Sequence, residues 1–430
     1  MVLRAMYAGV SGMRAEGEAL GVVGDNIANV NTVGFKSQRA VFQDVLGHSI
    51  LAGSSTALPG SGVKIGDVQQ MFTQGTLAST GVSTDLALNG DGFFVVKGTV
   101  EGVSGNFYTR AGQFNIDRDG MLVNPQGLQL QGYAANPDGS FKANVSALQV
   151  PTSALAPKAS SMIDMTVQLD SDETVLTTAW DPQDPANTSN FSTSITVYDS
   201  LGNGHAMDVY FRKTAAGAWD YHVIASGDEV TAGTPGTNFE VGSGSLQFNT
   251  AGELVDDTDP GLTVDFVGAT PGQALAFNYG ESLNEGGTGL GGTTQFSAPS
   301  NVSAQSQDGY STGDFAGVAV DGQGVVMGLY TNGQKLPLGQ LAVAKFRSND
   351  GLGRAGQSLW IETRDSGVAA MGTAGSGGRG AISAGALEGS NVDLAEEFVG
   401  LIQHQRSFSA NSKTITTADD MLQELINIKR

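Results

Sequence analysis

The stretch LAEEFVGLIQHQRSFSANSKTITTADDMLQELI, Leu394–Ile426, sets Leu394, Leu401, Phe408, Ile415 and Leu422 seven residues apart, with Phe398, Ala418, Leu425 and Ile426 widening the stripe. An apolar row at that period predicts a long amphipathic helix. Ser390, three residues ahead of Asp393, suits a helix start there. The opposite end of the chain reads the same way. Leu3 and Val10 lie seven apart, and Met6, Met13, Leu20 and Ile27 form a second row three residues on, the a/d spacing of a helical seam. Gly17 and Gly24 continue the first row without a side chain, which lets another backbone approach but weakens an isolated helix by roughly 1 kcal/mol each. At about 1.5 Å per residue each helix spans about 40 to 50 Å, too long for burial inside one small domain. Both helices need partners.

Between the ends, strand signals dominate. The 61 glycines and only 15% charged residues suit many short strands and turns. Gln113–Asp117 alternates polar and apolar residues before Asp119-Gly120 turns the chain into Met121–Val123. A second hairpin is expected at Leu201-Gly202-Asn203-Gly204 and a third at Asn332-Gly333. The expected fold class is mainly β with terminal α-helices, the two helices pairing as a coiled-coil core and the β domains looped out between them. Composition shifts place the helical core domain at 1–36 and 388–430 and an extended connector at 37–70. A discontinuous β domain follows at 71–148 and 305–387, with an inserted outer β domain at 149–304.

The formal charge of -21 repels phosphate backbones and anionic membrane surfaces, and the basic residues are scattered singly, so neither nucleic acid nor membrane insertion is expected. The N-terminus has no compact apolar segment of the kind a cleaved signal peptide carries, and no run of eighteen apolar residues occurs. Without cysteine there are no disulfides, thiolate metal sites or thiol nucleophiles.

Several short motifs resemble chemical sites but read more simply as structure. GxGxxG occurs at Gly287–Gly292 and Gly351–Gly356; the second runs on into a strand-like segment, so a turn is the better reading. Asp117-Arg118-Asp119-Gly120 resembles the start of a calcium loop, but Leu128 stands where the twelfth, acidic ligand belongs. Asp256, Asp257 and Asp259 could form a carboxylate cluster, and a solvated loop ahead of Pro260 is the simpler expectation. His48, His205, His222 and His404 show no metal-ligand spacing, and no GxSxG nucleophile motif occurs. No catalytic, cofactor-binding or metal residue is assigned, and the expectation is a protein that is not an enzyme.

Two terminal helices bracketing a β-rich body meet as an antiparallel pair, and two helices alone leave part of each stripe exposed. Copies can cover that surface on one another, and head-to-tail contacts make an open helical polymer. The segment Asn26-Ile27-Ala28-Asn29-Val30-Asn31-Thr32-Val33-Gly34-Phe35-Lys36 resembles the NxxANxxTxGFK-type signature of flagellar rod and hook proteins. Asp25 departs from it, since many relatives have a second Asn there. The C-terminal stretch with Ser409–Ser412 and Ile415–Asp419 is similar to the end of the same family, as are Asp85–Phe94 and Tyr108–Gly112.

The resemblance implies a non-enzymatic axial subunit of the bacterial flagellum, exported through the flagellar export apparatus without a cleaved signal peptide and assembled into the extracellular hook. It implies homopolymerisation, with the distal rod protein, hook cap protein and hook-filament junction protein as further partners. The large insert favours a hook over a rod subunit; an extracellular carbohydrate-binding or hydrolytic β protein is the alternative from another class. The motif residues Asn26, Ala28, Asn29, Thr32, Gly34, Phe35 and Lys36 end the first helix, with Gly34 in a left-handed conformation and Asn26 and Asn29 packing between subunits. Leu3, Met6, Val10, Met13, Leu20 and Ile27 form the N-terminal assembly seam. Leu394, Phe398, Leu401, Phe408, Ile415, Leu422 and Leu425 form the C-terminal one.

Overall fold

The computed structural model describes residues 2–46, 60–151, 153–258 and 260–428. Among these, the helices are α1 (Val2–Ala28), the single-turn α2 (Pro185–Thr188) and α3 (Leu394–Ile428), with strands through most of the chain between. The architecture is mainly β with a helix at each end. Two compact units divide it, one of Met1–Thr152, Gly317–Leu329 and Lys335–Arg430, the other of Ser153–Ala316 and Tyr330–Gln334.

In the first unit, residues 38–70 are more than a connector. They form a hairpin of β1 (Gln38–Leu46) and β2 (Gly60–Gln70), antiparallel with Gln38 opposite Gln70 and Leu46 opposite Gly60. The hairpin lies on α1, where the Val63 N–H donates to Ser11 Oγ at 3.2 Å. Gly62 has φ +103° there, and any side chain would strike Ser11. Behind the hairpin a large sheet runs through Phe93–Val100, Val103–Thr109, Gln129–Ala135 and Lys335–Lys345. Phe93 through Val96 are buried on both faces of that sheet. Phe93 meets Phe346 and Trp360 with ring centroids at 5.9 and 5.5 Å, and Tyr108 meets Phe346 edge-on at 4.7 Å, within the range of favourable aromatic packing. The expected turn at Asp119-Gly120 joins Asn115–Ile116 to Leu122–Val123. Asp117 accepts from the N–H groups of Asp119 and Met121, so its carboxylate serves the turn.

The second unit is a pair of sheets around one core. Phe191–Tyr198, Gly204–Ala215, Ala218–Ser226, Asn238–Phe248 and Leu254–Thr258 form an antiparallel meander, its first hairpin turning where Gly202-Asn203 was expected to turn it. Met162–Asp170 is central to the other sheet. Alternation along Gly204–Ala215 sends Met207, Val209 and Phe211 inward to meet Trp219, Tyr221, Ile163 and Val167. Asp256 and Asp257, expected in a solvated loop, lie instead on the strand Leu254–Thr258, where they pair with Gln247 and Leu246. The strand ladder takes them because Leu254 beside them is a core residue. Asp259 lies outside the described residues.

Asp308 ties together residues 158–162 of this unit. Its carboxylate accepts from Lys158 Nζ at 2.8 Å, from the N–H groups of Ser161 and Met162 at 2.7 and 3.0 Å, and from Ser161 Oγ at 2.8 Å. Burial alone would raise its pKa, but these donors outweigh burial and hold it well below the usual aspartate value of 3.8. A depressed carboxylate pKa adds stability that is present above the unfolded value and lost as pH falls below it. Asp308→Asn is therefore expected to lower the urea midpoint at neutral pH, with the two proteins converging as pH is taken below 3.8. Urea titrations across that range check it.

Candidate functional site

The helices α1 and α3 pack antiparallel, and the register can be read from four levels. Asn26 Nδ2 donates to Glu397 Oε1 at 2.7 Å, and His404 Nδ1 lies 2.6 Å from Glu16 Oε2. A Cβ built on Gly12 would fall 2.6 Å from Asn411 Nδ2, and one on Gly9 would fall 3.0 Å from Ile415 Cγ1. The buried face of α1 is thus Gly9, Gly12, Ala15, Ala19, Val23 and Asn26, at helical three-and-four spacing. Small residues let the backbones come close, and the larger apolar rows are turned elsewhere.

The predicted seams divide accordingly. In α1, Leu3 is 60% exposed and Val10 48%, while Met6, Met13, Leu20 and Ile27 are half-buried. In α3, Leu401, Ile415 and Leu422 are half-buried and Ala418 is buried, but Leu394, Phe398 and Phe408 are exposed at 40%, 51% and 39%. The side chain of Leu425 lies outside the described residues. Val399, Ile402, Met421 and Ile426, outside the expected seam, add to the exposed apolar surface. His404 is half-buried against Glu16 and stacks on Phe42 of the hairpin at 6.0 Å.

The motif after α1 makes its hydrogen bonds within its own chain. Asn26 is 1% exposed and exchanges two hydrogen bonds with the backbone of Gln38, each at 2.8 Å. A primary amide satisfies one peptide N–H and one C=O at once, so Asn26 docks the start of β1 on the helix as another strand would. Asn29 turns back to the Asp25 carbonyl at 2.9 Å and accepts from Thr32 Oγ1 at 3.0 Å, closing the helix end within the chain. Ala28 is exposed. Gly34 adopts φ +67°, as expected of a helix stop, and a Cβ there would lie 2.6 Å from the Arg110 carbonyl carbon. Phe35 is buried.

Lys36 ends in a buried ionic knot. Its side chain is fully inaccessible, with Nζ 2.6 Å from Glu388 Oε1 and 2.7 Å from the Thr73 carbonyl. Glu388, equally inaccessible, accepts from Arg110 Nη1 at 3.1 Å and from the Gly75 N–H at 3.0 Å. Arg110 Nη2 donates to the Gly90 carbonyl at 2.8 Å, and the guanidinium carbon lies 5.4 Å from the centre of the Phe93 ring. Burial holds the Lys36 pKa below its ordinary value, Glu388 opposing the shift and Arg110 reinforcing it. The backbone joins in, since the Gly34 N–H donates to the Glu388 carbonyl at 2.8 Å. Asn391 then receives the Ser37 N–H and donates to the Met71 carbonyl, each at 2.7 Å. The end of α1, the root of the hairpin, the sheet and the approach to α3 meet at one carboxylate.

Sequence reasoning reached Lys36 through its motif and Arg110 through Tyr108–Gly112, but not Glu388, which has no periodic neighbour to mark it. Among the described residues no group of His, Asp and Glu is arranged to hold a metal ion, and no helix is long and apolar enough to cross a membrane. His205 lies between Asp199 and Glu229, and His222 stacks on Trp180 beside Glu240; His48 lies outside the described residues.

Truncating one member of a buried ion group strands the others, typically at about 3 to 5 kcal/mol. Glu388→Ala, which leaves two cations buried, is expected to cost that much by urea unfolding. Arg14→Ala, whose partner Glu18 is 56% exposed, should stay within about 0.5 kcal/mol of the parent.

Four family descriptions match the chain in order: flagella basal body rod protein over 6–36, flagellar hook protein FlgE/F/G D1 domain over 87–170, flagellar basal body protein FlaE D2 domain over 168–310, and flagellar basal body rod FlgEFG protein C-terminal over 383–428. Over 98% of both chains it is 38% identical to the flagellar hook protein FlgE of Salmonella typhimurium. To that of Treponema pallidum it is 33% identical over the whole of both chains. The fold is similar to the crystal structure of Helicobacter pylori flagellar hook protein FlgE2, with a TM-score of 0.52 at 16% identity, covering 71% of this chain and 98% of that one.

Proposed function

This chain belongs to the flagellar hook protein family, a structural and non-enzymatic one, and we propose that its terminal helices are the contacts through which copies polymerise into the hook. The chain is a structural subunit of the bacterial flagellar hook, the curved flexible tube that couples the rod to the filament and transmits torque. The observation that carries the proposed mechanism is the division of the helix pair. Its inner face is small and closed, while Leu3, Val10, Leu394, Phe398 and Phe408 stay exposed. An apolar surface of that extent on paired helices is covered in a polymer of identical chains.

The proposed partners beyond further copies are the distal rod protein at one end of the hook, the cap and junction proteins at the other, and the flagellar export apparatus during delivery. The inserted domain expected over 149–304 supplies outer contacts that are polar and weak, so that neighbouring copies can change spacing as a bent tube turns. The strong contacts stay with the helices.

Phe398→Asp with Phe408→Asp tests this reading. Both positions are exposed, so the monomer should keep its circular dichroism spectrum and its melting temperature within a few degrees. Electron microscopy of the concentrated protein in ammonium sulfate should show tubes from the parent and none from the variant. Tubes of normal number from the variant would remove the C-terminal seam from assembly.

A further inference from the structure

Besides its buried face, α1 carries an open row in which Leu3, Tyr7, Val10, Arg14, Gly17, Gly21 and Gly24 follow at alternating steps of four and three. Tyr7 is 71% exposed, and Gly17, Gly21 and Gly24 have nothing within 4 Å of where a side chain would begin. On α3, Phe398 and Ile402 are exposed at 51% and 49%, and Arg406 is exposed without an ionic partner among the described residues.

We infer that this open face of α1 receives the exposed face of α3 from a second copy, with Ile402 of that copy seated over Gly21. The inference rests on the polymer reading above and specifies its contact. Copies in a head-to-tail polymer share one polarity, so a neighbour's α3 runs antiparallel to this α1 just as its own does.

Charge selects the register. Within the chain Gly12 is level with Asn411 and Asn26 with Glu397. A second α3 at the same levels brings Ile402 to Gly21, Arg406 to Glu18, and Asp419 and Asp420 to Arg4. These are opposite charges at two levels of the contact. A slip of one turn in one direction sets Arg406 against Arg14, like charge on like. The glycines leave the depth that a β-branched side chain needs to reach a helix backbone, as a neighbour's knob would.

The chain has no cysteine, so a pair can be introduced cleanly. Gly21→Cys with Ile402→Cys, polymerised and oxidised, is expected to give a ladder of covalent multimers on a denaturing gel. Gly21→Cys with Lys413→Cys, displaced eleven residues or about 16 Å along the helix, should give none. Gly21→Leu provides a second readout. It raises helix propensity at an open position, so the monomer should melt no lower, yet tubes should be lost.

Tubes without a ladder from the matched pair, an equal ladder from the displaced pair, or normal tubes from Gly21→Leu would each overturn the register while leaving assembly through the helices standing. Failure of the parent chain to form tubes would overturn both.

Discussion

The Glu388 carboxylate is the point on which the first unit depends. It lies wholly out of solvent and answers two cations, Lys36 from the end of α1 and Arg110 from the sheet, together with the Gly75 N–H. One negative against two positive charges leaves an excess that the Thr73 and Gly90 carbonyls face. An apolar cluster of the same volume could be as stable, but it would tolerate sliding. An ion group with this geometry accepts one arrangement of its three segments, and those segments fix where both helices begin their run from the β body.

Beyond the knot, the face that α1 turns to α3 is made mostly of small residues, and several large apolar residues of both helices lie outside the pair. Glycine and alanine on the inner face of α1 supply little burial, so the pair by itself gains little from its apolar content. A subunit made this way draws little of its helical stabilisation from the pairing of its own two helices. The β units each have an aromatic core of their own and do not share that dependence.

What was legible in the sequence follows the range of the interactions involved. Heptad spacing located both helices, and turn chemistry located the hairpins at Asp119-Gly120, Gly202-Asn203 and Asn332-Gly333, because those signals are complete within a few residues. Gly34 was legible for the same reason. The pairing of β1 with β2 was not, since its strands are separated by thirteen residues and lack clean alternation. The in-chain partners of Asn26 and Asn29 were not legible either, because a polar residue near a helix end shows no sign of what it bonds. The structure commits both within the chain, Asn26 to the Gln38 backbone and Asn29 to Asp25 and Thr32. Glu388 was illegible for a stronger reason, because its partners lie 352 and 278 residues away and nothing local distinguishes it from a surface glutamate.

That separation has a consequence of its own. Joining two points 352 residues apart costs about 5 kcal/mol of loop-closure entropy beyond a constant term, so the knot cannot lead folding and must follow the β units that shorten the loop. The fold is nested like a pair of brackets, opened by residue 36 and closed by residue 388. Any chain that ends before the closing bracket leaves Lys36 and Arg110 facing a low-dielectric interior without their counter-ion. Completion of synthesis is thereby written into the stability of the product, and a truncated copy lacks at once its second terminal helix and the charge that holds its first helix in place.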